Sequence, residues 1–286
     1  MNPNSSSPTA DQNPDDADAT ASAPSGDDRY RAPALDKGLD ILELLARQPQ
    51  GLTRAEIVKK MDRNASEIYR MLERLVARQY VMRSLPGDRY SLSLKLFTLA
   101  HMHPPLNRLV SQAMSIMEAF AQKAEQACHM GVYDQGNVLI AAQVNGPGTW
   151  SMTMRVGVHV GLLDTASGRV LLAFADASQA RQMLAQRMAL EDEAPVDSDE
   201  LAATLGAIRK QGYFERDSLQ SFGVADISCP IFGADHSALA VLTCPYVRRM
   251  DRHTGPDQKN VRTLLLQAAQ AMSLTQGGFA PASRTA

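Results

Sequence analysis

Residues 51–79 read GLTRAEIVKKMDRNASEIYRMLERLVARQ, and this stretch decides the fold of the first part of the chain. It opens with Thr53-Arg-Ala-Glu56, where the Thr53 hydroxyl is placed to cap a helix and Glu56 to reach back to the Thr53 amide. Such a box stabilises a helix start by about 1 kcal/mol. Ile57 and Met61 mark the inner side of a short helix that ends at Asp62-Arg63, and a second capping pattern, Asn64-Ala-Ser-Glu67, starts another. The second helix carries Ile68, Met71, Leu72, Leu75 and Val76 on its inner stripe. Its outer face offers Ala65, Ser66, Glu67, Tyr69, Arg70, Arg74 and Arg78. Two helices joined by a tight turn, the second with a basic outer face, make a helix-turn-helix.

Upstream, Leu35, Leu39, Leu42 and Leu45 recur at spacings of three and four, which predicts a helix with those leucines on one face, ended by Gln48-Pro49-Gln50-Gly51. Downstream, a strand-like Tyr80–Arg83, a turn at Leu85-Pro-Gly-Asp88 and a return strand Arg89–Leu92 add a hairpin. The expectation is a winged helix-turn-helix over residues 32–95. Leu92 to His101 reads as a connecting helix cut by Pro104-Pro105, so residues 96–105 are taken as a linker.

Beyond the prolines, Leu106, Leu109, Val110, Ala113, Ile116, Met117 and Phe120 repeat at helical spacing. Alternating runs at His129–Tyr133, Val138–Val144 and Trp150–Val156 predict antiparallel strands. Helices are expected from near Ser167, over 178–187, over 197–211 and over 256–275, with a hairpin of Ile227–Phe232 and Ala238–Cys244 between the last two. The chain is therefore read as α+β, with a second domain over 106–278 built as an antiparallel sheet flanked by helices. Residues 1–28 hold almost no large apolar side chain to repay ordering, and residues 1–31 and 279–286 are expected to be disordered tails.

The charge is divided unevenly. Residues 1–28 hold six acids and no base, residues 29–95 hold 14 bases and eight acids, and residues 96–286 hold 15 bases and 17 acids. A basic segment inside a mildly acidic protein points to a polyanion partner for that segment alone. An α-helix fits the major groove of B-DNA, and the second helix of a helix-turn-helix presents its first residues to base edges. Arg70 suits a guanine edge or a phosphate, Ser66 and Tyr69 donate to phosphate or base, and Arg63, Arg74, Arg83 and Arg89 suit the flanking backbone. Thr53, Arg54, Asn64 and Ala65 complete the candidate double-stranded DNA surface. Glu67 would repel phosphate, and is assigned to capping or to a cytosine amino group.

No window reaches the roughly 18 apolar residues of a spanning helix, and no basic-then-apolar leader opens the chain, so no membrane partner and a cytoplasmic location are expected. Cys128, Cys229 and Cys244 are widely spaced without a CxxC, so they read as small buried hydrophobes, not a disulfide framework or metal site. No GxSxG, HExxH or GxxxxGK[ST] occurs, and no cofactor is expected. Two other readings stay open: an enzyme using Cys229 or Ser167 with a histidine, and a second domain that only oligomerises.

With both domains laid out, the chain resembles the isocitrate lyase regulator (IclR) family of transcription factors over nearly all of residues 32–275. The resemblance rests on Ala34–Leu45, Gly51–Ile57, Tyr69–Leu75 and Arg89–Leu94 in the first domain, and on Thr165–Ala173, Gly212-Tyr213, Gly223–Phe232 and Ala240–Cys244 in the second. It implies a homodimer or homotetramer that binds operator DNA. It also implies a C-terminal GAF/profilin-like domain that senses an organic or aromatic acid. By position, the effector pocket that it implies is lined by Ala166, Ser167, Asp217, Asp226, Thr243 and Cys244, with Trp150, Met152 and Met154 as apolar walls. Amides at the start of the helix near Ser167 would attract a carboxylate. Ser167 reads equally as an ordinary N-cap, and the methionines as core. Asp226 and Asp164 depart from the family pattern, and Asp226 favours a ligand with a hydroxyl that it can accept from.

Overall fold

The computed structural model describes residues 32–84, 87–102, 104–149, 151–187, 196–249 and 255–279. The two expected tails up to residue 31 and beyond Phe279, the Leu85-Pro86 half of the wing turn and the wall residue Trp150 lie outside the described residues. The chain divides into two units, one ending at Ala100 and the other beginning at His101.

The first unit holds α1 (Pro33–Ala46), β1 (Leu52–Thr53), α2 (Arg54–Met61), α3 (Ala65–Ala77), β2 (Val81–Ser84), β3 (Arg89–Leu92) and α4 (Lys95–His101). Pro33 opens α1, where its fixed φ suits the first turn and its missing N–H loses nothing. The strands form an antiparallel sheet in the order β1-β3-β2, with Leu52 opposite Tyr90 and Val81 opposite Leu92. Strand β1 was not expected, and Gly51 makes it possible. At φ +64°, a Cβ on this residue would stand 2.5 Å from the Tyr90 carbonyl oxygen.

Ile41, Leu45, Leu52, Ile57, Ile68, Leu72, Val81 and Tyr90 close the core of this unit. Each fully buried aliphatic side chain contributes roughly 1.5–3 kcal/mol. The α1 leucines need correcting. The stripe that enters the core is Ile41 and Leu45, whereas Leu35 is 61% and Leu39 48% exposed. Helix α1 is rotated so that Leu35, Leu39 and Leu42 instead face a groove with Met71, Leu75, Tyr80, Leu96 and Leu99.

The second unit holds α5 (Pro104–Ala124), β4 (Cys128–Asp134), β5 (Asn137–Val144), β6 (His159–Val160), α6 (Ala166–Phe174), α7 (Ala177–Gln186), α8 (Ser198–Gln211), β7 (Phe214–Asp217), β8 (Val224–Phe232), β9 (Ala238–Val247) and α9 (Gln258–Thr275). Its six strands pair antiparallel in the order β6-β5-β4-β9-β8-β7. Successive residues of a strand face opposite sides, so the sheet sorts its side chains into two layers. Cys128, Met130, Ile227, Cys229, Leu242 and Cys244 pack with α5 and α9, and Val138 and Val241 pack with Val170 and Leu172 of α6 and Ile208 of α8. The expected strand Trp150–Val156 is overturned: residues 151–155 carry no regular structure, and the strand beside β5 is the two-residue β6. The Met154 amide donates to the Gln143 side chain at 3.1 Å, and not to a neighbouring strand.

Candidate functional site

The DNA-facing candidates of the first unit gather around α3. The Thr53 box is complete: Glu56 N donates to the Thr53 hydroxyl and Thr53 N donates to the Glu56 carboxylate. Asn64 caps α3 through its side-chain oxygen, which accepts from the Ser66 amide at 2.9 Å and from the Ser66 hydroxyl at 2.8 Å. Ala65, Ser66, Tyr69, Arg70 and Arg74 stand exposed along the outer face, with Arg54 and Arg63 exposed beside them. The Arg54 guanidinium lies over the Tyr69 ring, 5.4 Å from its centroid, which joins the start of α2 to the outer face of α3.

Three of the candidates already have partners within the domain. Glu67 closes no capping box and is paired within the domain: Lys37 Nζ donates to its carboxylate at 2.8 Å. That hydrogen bond holds the Glu67 carboxyl below its ordinary pKa. Arg89 is committed to the frame of the wing, donating to the Gly51 carbonyl at 2.9 Å and the Gln50 carbonyl at 3.1 Å, with Glu56 at 3.3 Å. Arg89 thereby ties β3 to the turn before β1. Arg83 is bonded to Asp88 across the wing and lies over Tyr90, which keeps it exposed at the hairpin but already paired.

In the second unit, a polar group lies on the face of the sheet that α6 covers. The Ser167 hydroxyl on α6 meets that of Thr243 on β9 at 2.8 Å, and Thr243 meets Ser228 on β8 at 2.7 Å, all three buried. His129 is the register partner of Thr243, and Asp226 shares a face with Ser228 two residues on. His129 is buried and its Nδ1 has no hydrogen-bond partner among the described residues, while burial pulls its pKa down to about 4. Burial raises the Asp226 pKa, against a Ser218 hydrogen bond and the charge of Arg216, its register partner. Met152 and Met154 are half-buried on the segment that Gln143 holds.

The remaining effector candidates separate. Ala166 is buried at the start of α6 beside Ser167, but the N-cap is Thr165, whose hydroxyl accepts from Gly168 N at 3.1 Å and donates to the Gly161 carbonyl. Cys244 is the neighbour of Thr243 on β9 and so faces the opposite layer, packed with Cys128 and Cys229. Asp217 is also placed away from Asp226: its side chain is exposed and pairs with Arg248, which lies near Gln258 of α9. Both are corrections, and strand alternation is the reason for each.

The second unit matches the family described as the bacterial transcriptional regulator IclR C-terminal domain over residues 106–274, more than half of the chain, and the IclR helix-turn-helix domain matches residues 34–84. The chain belongs to the IclR family. It is a transcriptional regulator with a helix-turn-helix DNA-binding domain. Similar curated regulators include the HTH-type transcriptional regulator KdgR of Escherichia coli K12, 27% identical over 199 residues that cover 68% of this chain and 75% of that one. The Pca regulon regulatory protein of Pseudomonas putida is 26% identical over 212 residues, covering 73% of this chain and 72% of its own. Among solved structures, Thermotoga maritima IclR superposes with a TM-score of 0.68 at 23% identity, over 85% of this chain and 98% of that one. An IclR homologue of Microbacterium hydrocarbonoxydans complexed with 4-hydroxybenzoate superposes with a TM-score of 0.69 at 19% identity, over 85% and 98%. The two solved structures share the fold of this chain, and the two curated relatives are named as regulators.

For an IclR-family chain, the residues missed in the sequence are the ones that complete the α6 face. His129 and Ser228 sit in strands whose alternation is legible, yet only the pairing of β4 and β8 with β9 brings them to Thr243. Arg216 lies on β7, four residues long and too short to show a period. Arg169 carries no signal of its own in the sequence. It is buried on α6, donating to the Leu163 carbonyl at 2.7 Å and lying over Phe214. Among the described residues, no helix is long and apolar enough to cross a membrane.

Proposed function

We propose that this IclR-family chain binds double-stranded operator DNA through the outer face of α3, led by Arg70, and that its second domain senses a small organic or aromatic acid bearing a hydroxyl. The observation that carries the effector half is the meeting of Ser167, Thr243, Ser228 and His129 on one face with Asp226 and Arg216. These are mostly neutral hydrogen-bonding groups with one arginine, a set that suits one carboxylate and one hydroxyl better than a polyanion. The amides opening α6 and Arg216 receive the carboxylate, His129 or Asp226 takes the hydroxyl, and Met152 and Met154 supply apolar wall. The 4-hydroxybenzoate bound to the Microbacterium homologue is an acid of this kind.

The functional boundaries follow as a DNA-binding domain over 32–95, a linker over 96–105 and an effector domain over 106–278, in a protein acting in the cytoplasm. The oligomer is a homodimer at least. Its support is the groove of about 530 Å³ lined by Leu35, Leu39, Leu42, Met71, Leu96 and Leu99, in which Leu35, Leu39 and Leu99 stand exposed. A second copy is the occupant that places two α3 helices on successive turns of one duplex face.

Isothermal titration of the full chain with hydroxylated aromatic and short hydroxy acids, each beside its deoxy analogue, tests the effector reading. Binding that prefers the hydroxylated acid, without turnover and with altered retention of the chain's upstream DNA, supports it. Silence across the panel leaves a domain that only oligomerises, turnover makes it an enzyme, and either overturns the proposal.

A further inference from the structure

We propose that residues 1–28 of this chain are an acidic occupant of its own DNA-reading face, lying against the exposed bases of α2 and α3 until duplex DNA displaces them. The inference rests on the DNA-reading role given to α3 above. Residues 1–28 enter it only through their charge and their point of attachment.

Charge selects the surface. Asp11, Asp15, Asp16, Asp18, Asp27 and Asp28 stand in a segment without a single Lys or Arg, and the segment that follows, 29–95, holds 14 bases against eight acids. Residues 96–286 hold 15 bases against 17 acids and offer no comparable attraction. Within the first unit, Glu67, Glu56 and Asp88 already face Lys37, Arg89 and Arg83. Arg54, Lys59, Lys60, Arg63, Arg70 and Arg74 are left exposed on α2, the turn and α3.

Attachment delivers the segment to that surface. Lys37, near the start of α1, donates to Glu67 in the first turn of α3 at 2.8 Å, and Ala34 and Leu35 line a groove with Met71 and Arg74 of α3. The chain therefore enters α1 beside α3. Helix α3 has 13 residues, about 20 Å of length. A 28-residue stretch spans several times that distance when extended, at about 3.3 Å per residue. Tethering at this point sets an effective concentration on the order of millimolar, so weak, screened ion pairs suffice for occupancy. Duplex DNA, with one charge per roughly 1.7 Å, displaces the segment. The competition lowers the affinity for every duplex by the same factor; an operator, which adds base contacts to the phosphate contacts, stays bound through it, whereas a random duplex has little affinity to spare.

The test compares the full chain with a variant carrying Asp11→Asn, Asp15→Asn, Asp16→Asn, Asp18→Asn, Asp27→Asn and Asp28→Asn. The variant is expected to bind a random-sequence duplex on the order of tenfold tighter at about 50 mM salt, with the difference gone near 0.5 M. Equal affinities overturn the proposal. A third chain restores the six aspartates after Ala286: if it behaves as the Asn variant, position matters, and if it behaves as the native chain, bulk charge explains the effect and the proposal fails. A DNA-free readout keeps this inference separate from the reading of α3. Zero-length carbodiimide coupling of the dilute full chain is expected to join Asp11, Asp15, Asp16 or Asp18 to Lys59 or Lys60 within one chain, and to stop doing so near 0.5 M salt. A map without such bonds overturns the proposal whatever the chain does with DNA.

Discussion

The hydroxyls of Ser167 on α6 and Thr243 on β9 lie 2.8 Å apart in the buried layer of the second domain, and Thr243 bridges on to Ser228 at 2.7 Å. Thr243 is thus the middle of a three-hydroxyl chain. Thr243→Val keeps its shape and leaves both neighbours without this partner, which costs about 1–3 kcal/mol. Thr243→Ser is expected to restore the chain and most of the stability. Urea denaturation of the full chain measures both; a Val variant as stable as the native protein would show that the two serines find other partners.

Arg70 and Arg89 are both arginines of the first domain, and the structure gives them different work. Arg70 is exposed on α3, whereas Arg89 donates to the carbonyls of Gln50 and Gly51. Arg70→Ala is expected to weaken binding to the upstream DNA by about 1–3 kcal/mol and leave the melting temperature in place. Arg89→Ala is expected to lower stability by about 1 kcal/mol, since the turn carbonyls lose their donor to water. Retardation assays and thermal melts on the same two variants give the comparison, and a reversal of the pattern would exchange the roles.

Glu67 makes a third contrast. Its carboxylate is held by Lys37, so Glu67→Gln should leave the preferred operator bases unchanged when sites are selected from a random library. A changed preference at a C·G pair would return Glu67 to the role of a base reader.

The helix-turn-helix is legible in the sequence because its signals are local. Ile68 and Leu72 recur at the period of a helix, and the Thr53 box is a fixed offset of three residues. What could not be read depends on partners far along the chain. Alternation places Thr243 and Cys244 on opposite faces, but which of them meets Ser167 is decided by α6, 76 residues from Thr243. The run Trp150–Val156 alternates like a strand, yet Met154 bonds to the Gln143 side chain, so no ladder forms. Leu35 and Leu39 repeat with a helical period and still miss the core, because the stripe of Ile41 and Leu45 beside them is the one that packs. Lys37 and Glu67 carry no signal of pairing at 30 residues' separation.

Those misplaced leucines give the next prediction. Leu39 is 48% and Leu99 42% exposed on the groove of the first domain, and a second copy is the proposed cover. Leu39→Glu places a charge where apolar surface is to be buried, and is expected to weaken self-association at least tenfold, or about 1.4 kcal/mol. Leu184→Glu, at an exposed leucine of the second domain, serves as the control and should not. Sedimentation over a concentration series distinguishes them, and indistinguishable profiles would remove the groove from the interface.

His129 sets the behaviour in acid. Burial lowers its pKa from the ordinary 6.5 to about 4, so the folded chain keeps the imidazole neutral at a pH where the unfolded chain protonates it. Its contribution is therefore complete above about pH 6.5 and declines as the pH falls towards 4, by up to about 1.4 kcal/mol per pH unit. Asp226 acts in the opposite sense: burial raises its pKa, so the folded state takes up that proton before the unfolded state does, and acid favours folding at that site. Replacing the imidazole by an amide that does not titrate, His129→Gln, should flatten the stability profile between about pH 6.5 and 5, while Asp226→Asn should steepen the acid side. Urea denaturation of the three chains across that range supplies the measurement, and parallel profiles for the native chain and His129→Gln would mean that the imidazole reaches a proton in the folded state. The same buried, neutral imidazole offers a ligand hydroxyl a partner that does not change its charge over this range, which is why the preference for a hydroxylated acid should persist down to about pH 5.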